Sequence, residues 1–473
     1  MLFNSLTFLV FFAVVLALHR LPLSWRVKKV NLLVASYLFY AAWNPPFVVL
    51  LWISTLLDWW VAARLYRTDS LRGRRLLLLA SVAINLGLLG YFKYGGFLLE
   101  NFTQAAAAVG VEYRPPAWDI VLPVGISFYT FQTMAYSLDV YLRRARPADS
   151  FLDFALFVTF FPQLVAGPII RPTHLIPQFA EPRTATPPQL LWGLMLMTLG
   201  LFQKVVVADG LLAPVSDAAF GAPGMLPAMD AWVGTLAFSG QIFCDFAGYT
   251  TTAIGAALAL GFSLPDNFRY PYAAVGFSDF WRRWHISLSS WLRDYLYVPL
   301  GGNRKGTGRT YVNLMLTMLL GGLWHGAAWT FVIWGGLHGV YLAAERFLRG
   351  RIGHWDVWGR WPARLGLALL TYALVNITWV FFRAQEFPTA WRMVRSMLLI
   401  DRGGTPVLSS WFILSTALTV AVMLAIHWRM RHRHLHDEVT RMPAVVVGIV
   451  WGAMLFLVAI TQGGSDAFIY FQF

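Results

Sequence analysis

The sequence predicts an all-α, polytopic membrane protein, on three observations. Hydrophobic residues make up 58% of its 473 residues and charged residues only 13%, against about 25% in a soluble domain. The apolar residues gather in runs approaching the ~20 that a helix needs to cross a bilayer. Aromatics reach 16%, with 22 Trp, the residue type that anchors helices at membrane–water interfaces.

From the N-terminus, apolar runs centre near residues 11, 36, 54, 87, 130, 160, 200, 245, 317, 334, 373, 418 and 452. Several are short or interrupted by Gly and Pro, so about 11 to 13 transmembrane or re-entrant helices are expected. The first run, Phe3 to Leu18, lacks a basic start and a small-residue cleavage site, and reads as a retained span. Basic clusters then set the orientation. Arg20, Arg26, Lys28 and Lys29 follow the first span, and Arg64, Arg67, Arg72, Arg74 and Arg75 come two spans later. A nearly uncharged loop is expected from Asn101 to Asp119, before Arg143, Arg144 and Arg146. By the positive-inside rule these clusters place the N-terminus outside. No repeat or soluble domain interrupts the pattern, so residues 1–473 read as one integral membrane domain.

The net charge of +14 lies in the short stretches between the runs, which points to anionic lipid and away from nucleic acid. A single cysteine, Cys244, excludes an intrachain disulfide framework and a multi-cysteine metal site. The "HRHLH" at 432–436 sits in a basic loop and reads as a solvated stretch, so no metal site is expected.

Residues 277 to 300, "FSDFWRRWHISLSSWLRDYLYVPL", break the pattern of spans. Apolar residues recur at helical spacing while Arg282, Ser289 and Arg293 lie opposite, which predicts an amphipathic helix near 277–296 along an interface or a wet cavity. His285 falls at the border of the apolar stripe, where its ring can face water while packing against Trp281 or Trp284. The Gly-rich basic turn "PLGGNRKGTGR" follows and contains Asn303; its glycines permit close approach of backbone to a ligand.

The next apolar run, Tyr311 to Ala344, holds Trp324, His325 and His338. Its GxxxG pairs, Gly322/Gly326 and Gly335/Gly339, predict close helix packing. Ionisable side chains inside spans are rare and mark function, so His325 in "GGLWHGAAW" stands between a hydrogen-bonded structural histidine and a chemical centre. Asp245, in "QIFCDFAGYT", needs a basic partner in such surroundings. Two classes of protein fit these features. Broken helices suit a non-enzymatic transporter or flippase. A buried histidine beside an amphipathic segment, with few acidic groups in the spans, suits acyl transfer, the imidazole taking the proton of an attacking hydroxyl.

"SDFWRRWHISLSSWLRDYLYVPLGGNR" followed by "GLWHGAAWTFVIWGGLHG" strongly resembles the membrane-bound O-acyltransferase family, and most of all its branch of membrane subunits of bacterial alginate O-acetyltransferases. The likeness runs along the chain through "SYLFYAAWNPPFVVLL", "LPVGISFYTFQTMAYSLDVYLRR", "FPQLVAGPIIRP", "DNFRYPY" and the terminal "FIYFQF". It implies a ring of helices around a thinned centre, with His325 and His285 at the positions of the family's two histidines. It further implies a thioester donor, acetyl-CoA or an acylated carrier protein, reaching the site from the cytoplasm of a bacterial inner membrane. No bound cofactor is implied. The acyl group would pass to an exopolysaccharide through a periplasmic acetyltransferase partner. On this basis His325 is expected as general base and His285 to position or polarise the donor, with Trp324, Trp284, Arg282, Arg283, Asn303 and Asp245 as substrate-binding candidates. One departure stands out: where the alginate branch reads "DFSGYSDMAIG", this chain reads "DFAGYTTTAIG", so the second acidic position is Thr251.

Overall fold

The computed structural model describes residues 1–115, 120–401 and 403–461; Asp119 and the terminal "FIYFQF" lie outside them. The regular elements among the described residues are all helices, with no strand. Seven of the described helices are long and apolar enough to cross a membrane: Pro45–Arg67, Leu71–Ala108, Pro187–Phe220, Ala228–Ala259, Trp361–Arg383, Ser410–Met430 and Ala444–Thr461. The runs near 317 and 334 form the uninterrupted helices Thr307–His325 and Trp329–Ile352, and several of the others form shorter or interrupted helices. Leu6–Arg20 has 15 residues, and the run near 160 is split into Phe151–Thr159 and Phe161–Leu164, with Pro162 at the start of the second piece. The loop expected from Asn101 is instead helical to Ala108, where a run of alanines, the best helix formers, carries the helix on.

The chain divides into two compact units, one of Met1–Leu194 with Ala253–Pro265, the other of Met195–Thr252 with the residues from Asp266 onward. In the first unit, Ile126–Tyr141 is buried on nearly every side and packs against Val48–Arg67 and Leu71–Leu89. A polar node ties these three helices together. The Asp58 carboxylate accepts hydrogen bonds from Asn85 Nδ2 at 2.8 Å, Ser137 Oγ at 2.6 Å and the Ser81 hydroxyl. Around Phe161, rings of Phe11 and Phe39 pack at 5.2 and 5.7 Å between centroids.

In the second unit, Thr307–His325 and Trp329–Ile352 form a closely packed pair. The glycines of the expected packing motif permit the approach: a Cβ on Gly335 would stand 2.2 Å from Met318 O, and one on Gly322 2.3 Å from Phe331 O. The single amphipathic helix expected near 277–296 is broken. Phe277–Trp281 and Ile286–Leu292 are separate short helices, and the chain turns sharply between them. The break falls at His285, whose left-handed backbone (φ 43°, ψ 56°) no α-helix can contain.

Candidate active site

His325 is the last residue of Thr307–His325, where the chain leaves the helix at Gly326 in an extended conformation. Its ring is enclosed by Trp334, Trp324 and Phe382 at 4.9, 5.0 and 5.3 Å and lies 6.3 Å from the ring of His285. His285 is completely buried. It packs against Phe246 at 4.7 Å, Trp324 at 6.1 Å and Phe268 at 6.5 Å, and not against Trp281 or Trp284 facing a wet cavity, as one amphipathic helix would have it. The break explains the change, because helical spacing stops at Trp281 and no longer decides where the imidazole faces.

A left-handed non-glycine residue costs about 1–2 kcal/mol and persists only where its surroundings over-determine it. Here the stretch 267–270 does so. Ile286 N donates to Asn267 O and Arg269 N donates to Arg283 O, both at 2.9 Å. The Asn267 side chain adds a second clasp: its Oδ1 accepts from Ser287 N at 3.2 Å and Ser287 Oγ at 2.9 Å, and stands 3.2 Å from His285 Nδ1.

The remaining candidates fall in several places. Trp324 touches both imidazoles. Trp284 sits in an aromatic core against Trp379, Phe268 and Phe280 at 4.9, 5.0 and 5.7 Å. Arg283 is engaged by Asp279 at 2.8 Å and by the Arg431 carbonyl at 3.0 Å, while Asp279 also holds the Arg431 guanidinium at 2.7 Å. Arg282 and Asn303 are exposed, and Asn303 accepts from the Tyr297 hydroxyl. Asp245 has its basic partner: Lys204 Nζ lies 2.6 Å from Asp245 and 2.8 Å from Asp209. Lys204 and Asp209 both belong to a π-helical stretch, Phe202–Leu212, whose wide turns bring residues five apart together. Asp245 is thus an ion-pair residue one position before Phe246, which touches His285. His338 stands apart from the two imidazoles, with Trp334 between it and His325 and a hydrogen bond of 3.0 Å from its Nε2 to Thr378 Oγ1. In "HRHLH", whose last two residues open the helix Leu435–Thr440, burial and the neighbouring Arg431, Arg283 and Arg364 charges hold His432 below the ordinary imidazole value.

The profile of the membrane-bound O-acyltransferase family matches residues 141–360, which include both histidines. A probable alginate O-acetylase of Azotobacter vinelandii is 43% identical over 402 residues, covering 84% of this chain and 78% of its own. The chain belongs to the membrane-bound O-acyltransferase family. A peptidoglycan O-acetyltransferase of Helicobacter pylori is 38% identical over 398 residues, 78% of this chain and 73% of its own. A teichoic acid D-alanyltransferase of Bacillus subtilis is 28% identical over 294 residues, 58% of this chain and 71% of its own. As a member of this family the protein is a multi-pass membrane O-acyltransferase.

Sequence reasoning missed Asn267, Ser287, Phe246, Trp334 and Phe382 as neighbours of the histidines. Asn267 lay within "DNFRYPY", one of the motifs that carried the resemblance, but nothing in the local pattern shows which side chain it would meet.

Proposed function

We propose that this acyltransferase moves an acetyl group from a cytoplasmic thioester, acetyl-CoA or an acylated carrier protein, to hydroxyls of an exopolysaccharide such as alginate. The names of the relatives support acetyl as the group and a cell-surface polymer as the destination. In this reading the chain lies in the bacterial inner membrane with its N-terminus outside, and a periplasmic acetyltransferase partner receives the acyl group. The positive-inside pattern of its arginines supports that orientation.

The observation that carries the mechanism is the meeting of two buried imidazoles, 6.3 Å between centroids, inside an aromatic enclosure. His325 takes the proton of the attacking hydroxyl as its oxygen bonds to the thioester carbonyl carbon. The carbon–sulfur bond then breaks, and the proton passes to the departing thiolate, which regenerates the base. His285 lines the same enclosure, and Trp324 touches both rings.

The test is transfer of label from radiolabelled acetyl-CoA into extracytoplasmic polymer, comparing wild type with His325→Ala at matched membrane levels. A loss of about 100- to 10,000-fold is expected. Label retained at the wild-type rate would reduce His325 to a packing residue. Repeating the assay with a labelled acyl carrier protein separates the two donors.

A further inference from the structure

We infer that Asn267 is a positioning residue that holds His285 in its Nδ1–H tautomer, so that Nε2 presents a lone pair to the reaction. This role depends on His285 belonging to the acyl-transfer site proposed above.

The argument starts from a backbone amide. Ser287 N can only donate, so the side-chain atom 3.2 Å from it must be the carbonyl oxygen of Asn267 and not its NH2. The Ser287 hydroxyl sends its hydrogen to the same oxygen at 2.9 Å. His285 Nδ1 faces that oxygen at 3.2 Å and the Ser287 oxygen at 3.4 Å. Both are acceptors there, so Nδ1 must carry the proton whether the ring is neutral or charged. In the neutral ring the lone pair is therefore on Nε2. Asn267 and His285 are buried to 1% and 0% exposure. The Asn267 backbone carbonyl also accepts from Ile286 N, which ties the residue after His285 to the same stretch.

The chemistry follows from the tautomer. A neutral His285 accepts an O–H or N–H of a substrate, an acceptor hydroxyl or an amide of the thioester donor. It cannot donate from Nε2 to the thioester carbonyl, so polarisation of that carbonyl by a neutral His285, one of the roles the resemblance suggested, is excluded. Several ionisable side chains are carried by His285's own segment and by the elements packed against it. They are His325 itself, Asp245 paired with Lys204, Asp266 paired with Arg269, and Asp279 paired with Arg283 and Arg431.

The experiment measures acetyl transfer against pH in membranes holding equal amounts of folded wild type, Asn267→Asp, Asn267→Leu, His285→Ala and His325→Ala. Asn267→Asp keeps an acceptor on Nδ1–H but adds a negative charge that favours the imidazolium. Transfer needs the neutral ring, so the acid limb of the profile should move to higher pH by about one unit, with activity recovering above it. Asn267→Leu frees both tautomers and should lose at least about tenfold at every pH, without moving the limb upward. Equal losses in the Asp and Leu variants, with the limb where it is in wild type, would reduce Asn267 to a structural clasp. Wild-type behaviour in both Asn267 variants, with the histidine variants inactive, would overturn the positioning role alone. Wild-type transfer in His285→Ala and His325→Ala would overturn the site itself.

Discussion

Asp58 in the first unit and His285 in the second are both completely buried, yet the two nodes differ in kind. Asp58 sits mid-helix in Val48–Arg67 with ordinary backbone geometry, and three side-chain donors from two neighbouring helices share its carboxylate. His285 sits at a break, in a left-handed conformation, with one ring nitrogen committed to Asn267. In the same unit, the indole N–H groups of Trp281, Trp284 and Trp334 are buried without a hydrogen-bond partner among the described residues. Satisfied polar groups on regular backbone fasten helices together. Strain and unmet donors are tolerated where a protein acts on something else.

Substituting each node in turn separates the two roles. His285→Gly relieves the backbone strain, since glycine enters the left-handed region freely, while removing the imidazole. Transfer should fall about 100-fold or more, and the melting temperature in detergent should stay near wild type as strain relief offsets lost packing. A large drop in melting temperature with unchanged activity per folded molecule would place His285 beside Asp58 as architecture. Asp58→Ala should do the reverse. It removes the shared acceptor of three donors and should cost about 2 to 4 kcal/mol of stability, read as reduced folded yield with activity per folded molecule retained. The smallest effect tests the frame that carries His325. Gly335→Ala sets a methyl against Met318 O and should cost about 1 to 3 kcal/mol, with transfer reduced only as far as Thr307–His325 and Trp329–Ile352 are forced apart.

Much was legible in the sequence alone. Composition and run length are bulk properties that a bilayer reads directly, so the all-α membrane character needed no contacts to be recognised. The GxxxG pairs predicted the close approach around Gly322 and Gly335, because only glycine permits it. An ionisable side chain in an apolar run is costly enough to need a reason, which marked His325, and the family resemblance of the two histidine motifs added His285. Asp245 announced its need for a cation, although its sequence could not say that Lys204 would supply it.

Tertiary structure decided the rest. Local periodicity made 277–296 one helix, and the hydrogen bonds from Ile286 and Arg269 to and from the 267–270 and 283–286 segments broke it. A helical stripe is a statement about neighbours three and four positions apart. Once backbone groups find partners about 14 to 19 positions away, the stripe no longer says where His285 points. The same holds for Asn267: its type and position are plain in "DNFRYPY", but which nitrogen of which histidine it governs depends on the chain folding back upon itself.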